Sequence, residues 1–232
     1  EKHMGETIPV ARISEQLTEM KQATGDNEYK ADGQVGEGEI AMSWKSGRFR
    51  AHAPGSPPPE GNPPTYCYVG KTEVNGKAFL YVSFVCMDPN LDGLIANYNG
   101  GPGDSINYDD GVEIYLDTNF DRKNYYELMV NCRGLYVGHD HPDPNTHNRW
   151  NVTPQIKTSI NKQAGQWSCE ALIPFDQLGG VPAKGSRWAV NFVRNYRGQS
   201  SRRADTQVQS WFEVYKGKDQ LHRPDLFGVF QW

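Results

Sequence analysis

YCYVGKTEVNGKAFLYVSFVC, residues 66–86, decides the fold class. Two runs rich in Tyr, Val and Phe flank Asn75-Gly76. An Asn-Gly pair between strand-like runs is the strongest short hairpin signal, because both central residues of a type I′ turn need positive φ. Outward from this hairpin the β pattern recurs in GVEIYLD (111–117), YYELMVNCRGLYVG (125–138), QIKTSIN (155–161) and QWSCEALIPF (166–175). It returns in RWAVNFVRNY (187–196), VQSWFEV (208–214) and FGVFQW (227–232). Many short strands with little helix between them predict an all-β chain, an antiparallel β-sandwich of the immunoglobulin or jelly-roll kind.

The front of the chain differs. ISEQLTEMKQ places Ile13, Leu17 and Met20 at helical spacing, so residues 1–27 read as an extension with one short helix and 28–232 as a single sandwich domain. A short strand is expected around Ile40–Trp44, and the Pro- and Gly-rich stretch 53–65 is expected to be a long surface loop. Pro174 and the turn Phe175–Gly179 end one strand, while alternation places Trp188, Val190 and Phe192 on one face of another. Trp167, Trp188, Phe175 and Phe227 are the expected core aromatics.

Composition narrows the function. The 24 Lys and Arg against 28 Asp and Glu give a net charge of −4, without the basic face of a nucleic-acid binder. No run of apolar residues is long enough to span a membrane. Cys67, Cys86, Cys132 and Cys169 show no zinc-type spacing; they are either buried thiols or, in an oxidising compartment, partners in one of three disulfide pairings. The sequon Asn151-Val-Thr153 adds to an expectation of an extracellular, periplasmic or cell-surface location. The polar start EKHMGET carries no apolar signal core and leaves that expectation open.

The order DDGVEIYLDTN, YYELMVN, WSCEALIPFDQLGGVPAKGSRWAVNFVRN, SW and HRPDLFGVF, with ADG at 31–33 as an entry element, resembles the carbohydrate-binding module family 9 (CBM9-like) sandwich, a group related to DOMON domains. The resemblance covers roughly 28–232 and is close only after Asp109; the Pro-rich front departs from it. It implies a non-catalytic module that holds a mono- or oligosaccharide, often a chain end, between two aromatic platforms, with polar side chains around them. Aromatic faces cover the C–H patches of a pyranose, and planar polar groups pair with its hydroxyls. Carried onto this chain, the platforms are Tyr108 and Trp211. Alternation adds Glu113, Glu127, Asn131, Arg133 and Arg194 as hydrogen-bonding candidates.

Three other readings use the same residues. Glu113 and Glu127 could be a glycosidase pair, which requires two carboxyls roughly 5–9.5 Å apart. Asp117, Asn119 and Asp121 have a D-x-N-x-D spacing suited to structural Ca²⁺, and Asp88, Asp92 and Asp104 form a second acidic set, although neither is an EF-hand. His139-x-His141 would point both imidazoles one way on an extended segment, as a transition metal requires. Finally, a haem-binding cytochrome-type domain of the same sandwich class would draw its axial ligands from Met87, Met129 and His222.

Overall fold

In the computed structural model, residues 29–51, 63–101, 103–212 and 221–232 are described. The helix expected around Ile13–Met20 and most of the 53–65 loop lie outside them. The strands are β1 (Trp44–Lys45), β2 (Arg50–Ala51), β3 (Thr65–Val74), β4 (Lys77–Met87), β5 (Gly111–Asp117), β6 (Tyr125–Asn131) and β7 (Tyr136–Asp143). They continue with β8 (Thr146–Arg149), β9 (Gln155–Asn161), β10 (Gln166–Pro174), β11 (Arg187–Tyr196), β12 (Gln207–Ser210) and β13 (Gly228–Gln231). One antiparallel sheet has the order β1-β3-β4-β10-β9. The other runs β2-β12-β11-β5-β6-β7-β8, with β13 paired to the start of β11. Two stacked antiparallel sheets make the expected sandwich.

The hairpin of residues 66–86 closes as its turn chemistry demands, with Asn75 at φ 51° and Gly76 at φ 76°. Between the sheets lie Leu80, Val82, Phe84 and Cys86 of β4 with Val112, Ile114 and Leu116 of β5, Leu128 and Val130 of β6, and Trp188, Val190 and Phe192 of β11. Each such side chain contributes about 1.5–3 kcal/mol by leaving water. Trp167 and Phe175 join them, and Phe227 is buried in a second cluster with Tyr115 and Tyr125. All four cysteines are free, buried thiols, and burial pushes Cys86 and Cys132 up to about 12.

The entry element packs on the far face of the first sheet. Tyr29 stacks on Tyr81 at 4.1 Å and lies so close over Gly70 that no Cβ fits there. Glu170 accepts from Asp32 N (3.0 Å), Gly33 N (2.7 Å) and the Tyr81 hydroxyl (2.6 Å), which anchors ADG by satisfying two loop donors at once. The strand expected at Ile40–Trp44 is mostly a helical turn instead: α1 spans Glu37–Met42 and only Trp44–Lys45 is strand. Glu39 explains the difference, since its carboxylate accepts from Gly36 N and Lys30 N and so closes the first turn. The run 125–138 divides into β6 and β7 because Asn131 Oδ1 accepts from Arg133 N and Leu135 N, folding a turn at Gly134 (φ 83°).

HDHPDPNTHNR, residues 139–149, is largely the hairpin β7–β8 at the sheet edge, so His139 and His141 do lie on an extended segment. Its register shifts between Asp140 and Asp143, around Pro142, since a proline in a paired strand is accommodated at a bulge.

Candidate functional site

Strand parity sorts the residues of the second sheet. Val112, Ile114 and Leu116 face the core, so Glu113 and Tyr115 face outward. The register continues that outer face across the sheet. Val193 pairs Glu113, Glu113 pairs Met129, Tyr115 pairs Glu127, and Glu127 pairs His139. Yet these outward carboxyls are not solvated: Glu113 and Glu127 are each only 3% exposed. A pocket of about 410 Å³ covers them. Tyr108 and Arg203 come to it from the turns preceding β5 and β12, Asn195 from β11, and His139, His141 and His147 from the β7–β8 hairpin. His222, ahead of β13, completes the wall.

At the loop end, Tyr108 is 37% exposed and the Arg203 guanidinium lies 4.8 Å from its ring centroid. The Tyr108 carbonyl accepts from Arg197, and Asp109 and Asp110 fix the same turn. Asp109 accepts from Asn97 N, Tyr98 N and Asn131 Nδ2, and Asp110 from Ile95 N and Arg197 N. The acids beside Tyr108 are therefore braces that hold the platform in place.

Deeper in, Glu127 Oε2 lies 2.5 Å from His141 Nε2 and 3.6 Å from His139 Nδ1, and Tyr115 donates to Oε1 at 3.4 Å. Burial tends to raise the Glu127 carboxyl, but the neighbouring His139, the hydrogen bond with His141 and the nearby imidazole charge hold it well below the ordinary range. Glu113 goes the other way, pushed up to about 8, first by burial and then by the Glu127 charge, while Asn195 opposes the rise. The two carboxyls are diagonal neighbours on the paired strands β5 and β6, so the charge of one bears on the other.

A pH dependence follows. Glu113 in the folded chain sits above the unfolded value of about 4.3, so folding takes up a proton. Its contribution to stability is full below about pH 4.3, declines as pH rises, and is lost once pH passes about 8. Glu113→Gln keeps the size of the side chain and removes the titration. It is expected to gain on the parent in stability as pH rises from 5 to 9, by roughly several kcal/mol at most. Thermal unfolding at the two pH values checks this; the same difference at both would contradict it.

Of the residues expected at the site, Tyr108, Glu113 and Glu127 meet in this pocket. Four do not. Trp211 is in the core, T-shaped against Trp44 at 4.9 Å and packed on Phe192 and Phe230, because β12 ends at Ser210 and the chain turns inward. Arg194 pairs Val112 in register and so shares its inward parity. It spans the two sheets, donating to Met87 O (2.7 Å), Thr65 Oγ1 (3.1 Å) and Asp88 Oδ2 (3.2 Å). Asn131 is fully buried as the brace of its turn, and Arg133 is exposed on that turn. Asn195, Arg203 and the histidines are among the pocket residues that the sequence reading did not assign to a glycan site.

The D-x-N-x-D turn satisfies itself. Asp121 accepts from Lys123 N and Asn124 N, Asn119 from Asp121 N, and Asp117 Oδ2 from Arg122 N. Only Asp117 Oδ1 is buried without a partner, whereas calcium takes six to eight oxygens. The second acidic set is dispersed: Asp88 pairs Arg194, Asp92 pairs Lys162 on the surface, and Asp104 accepts from Asn99 N. Among the haem candidates, Met129 and His222 line the pocket and Met87 does not; Glu113, Glu127 and His141 make its lining charged and polar.

An antiparallel sandwich with a polar, aromatic-edged pocket on one outer sheet face is the architecture of a ligand-binding module. The family profile described as "Carbohydrate family 9 binding domain-like" matches residues 74–231, and the chain belongs to that family. No curated protein matches it. Among solved structures, it is similar to a CBM9 module of Caldicellulosiruptor kristjanssonii in complex with cellotriose (TM-score 0.58, 18% identity, 88% of this chain and 89% of that one). A C. kristjanssonii CBM9 in complex with glucose gives TM-score 0.52 at 19% identity, covering 91% and 95%. A Bacteroides uniformis protein assigned to carbohydrate binding gives TM-score 0.66 at 12% identity, covering 91% and 96%.

Proposed function

We propose that the chain binds a mono- or oligosaccharide in the outer-face pocket and releases it unchanged. The carrying observation is the convergence of an exposed tyrosine stacked by Arg203 with buried, hydrogen-bonding Glu113, Glu127 and Asn195 in a member of a carbohydrate-binding family. Tyr108 offers its face to a pyranose, and Arg203, stacked on it, offers planar donors to hydroxyls. Glu113, protonated at neutral pH, can donate as well as accept, while ionised Glu127 only accepts, so the pair reads both polarities of a hydroxyl.

Glucose and cellotriose, the sugars in the two C. kristjanssonii complexes, are the first ligands to try. Arg203→Ala and Tyr108→Ala are expected to weaken calorimetrically measured binding about tenfold or more each, since each loses roughly 1–2 kcal/mol of stacking or charged hydrogen bonding. Unchanged affinity in both variants would sink the placement. The match to a binding-module family favours a non-catalytic role, and incubation with aryl glycosides should release no aglycone. No helix among the described residues is long and apolar enough to cross a membrane. With the family's character, an extracellular or periplasmic position is the natural assignment, to be checked by cell fractionation.

A further inference from the structure

Four of the chain's six histidines converge on this pocket: His139 and His141 from β7, His147 from β8, and His222 from the segment before β13. Sugar recognition through Tyr108, Arg203 and Asn195 does not account for them. His141 and His222 approach Glu127 so that one ligating atom from each of the three lies within 4.8 Å of the other two. Glu127 and His141 are buried and His222 half-buried, so water competes weakly for their lone pairs.

We propose that Glu127, His141 and His222 form a divalent transition-metal site, with Zn²⁺ its expected occupant, at the floor of the pocket. Two imidazoles and one carboxylate are a donor set that zinc takes with one position left open. Bonds of about 2.0–2.1 Å in tetrahedral geometry put neighbouring ligand atoms about 3.3 Å apart. Glu127 Oε2 and His141 Nε2, at 2.5 Å, need to part by roughly one ångström, a side-chain adjustment. One of the two imidazoles has the support that metal-bound histidines use. The Tyr125 hydroxyl lies 2.6 Å from His222 Nδ1; when that nitrogen is the N–H donor, Nε2 keeps its lone pair. The Tyr125 ring also stacks on His141 at 4.4 Å with an interplanar angle of 10°. His141 Nδ1 is buried without a hydrogen-bond partner, so the His141 ring is held by the Tyr125 stack and the Glu127 contact alone. His139 Nδ1 lies 3.6 Å from the same Glu127 oxygen and would be within reach of an ion held there.

The ordinary alternative is a metal-free His–Glu hydrogen-bonded cluster. The proposal does not rest on sugar binding, and the two are tested separately. The full chain, stripped with EDTA, is titrated with ZnCl₂ by calorimetry and with CoCl₂ by visible absorption. One Zn²⁺ per chain and the intense visible bands of low-coordinate Co²⁺ are expected. His222→Gln should weaken zinc binding more than about 100-fold, and Tyr125→Phe, which removes only the supporting hydroxyl, about 10- to 100-fold. Because His141→Ala could disturb the buried floor, His222→Gln, at a half-buried position, is the deciding variant. No zinc uptake, uptake unaffected by His222→Gln, or uptake lost on replacing His139 and His147 while His222→Gln retains it would each overturn the proposal. A sugar titration in EDTA reads the function of the pocket independently.

Discussion

Arg194→Met is expected to lower the stability of the folded chain by about 3–5 kcal/mol, the usual cost of removing one partner from a buried ion pair. Arg194 is fully buried and Asp88 is 7% exposed. Burial raises the Asp88 carboxyl, while Asn90 N and the Arg194 charge oppose the rise. Without the guanidinium, Asp88 loses its countercharge, and Met87 O in the other sheet loses its donor. Arg194 therefore ties β11 to β3 and β4 across the core. The double variant Arg194→Met/Asp88→Asn should recover part of the loss, because the unpaired charge goes with its partner. Urea unfolding of the parent, both single variants and the double variant measures this. A loss under about 1 kcal/mol in Arg194→Met would show that the pair is not buried as described.

Trp211→Ala should have a similarly large effect, about 3–5 kcal/mol, for a different reason. Its indole fills the space between Trp44, Phe192 and Phe230, and its ring lies so close to Gly228 that no Cβ fits there. Truncation leaves a cavity that these aromatics cannot close. The protein that remains folded, assayed below its melting temperature, should keep its sugar affinity. The opposite pattern, unchanged stability with binding lost, would restore Trp211 as a platform.

Much of the fold was legible because alternation is a local property. GVEIYLD and YYELMVN declare their faces without reference to anything distant, and Asn75-Gly76 sets its own turn. The errors came from carrying local patterns across elements. Trp188, Val190 and Phe192 were read as one face of β11, and Arg194 continues their parity inward, so the same pattern already argued against placing it outside with Glu113. By that rule Asn195 faces outward, and it was the recoverable residue. Trp211 follows the last residue of its strand, where parity no longer applies. The histidine cluster was half visible as His139-x-His141. Its partners Glu127 and His222 are brought in by strand pairing and by the return of the C-terminal segment, which no local spacing encodes.

The central claim is the position of the sugar. Titrating isotope-labelled protein with glucose or cellotriose and following the indole, imidazole and backbone resonances tests it most directly. Saturable shifts confined to Tyr108, Glu113, Asn195, Arg203 and the β7–β8 hairpin are predicted, with the Trp211 indole resonance unmoved. Saturable shifts centred elsewhere on the sandwich, or none with any sugar at millimolar concentration, would contradict the account.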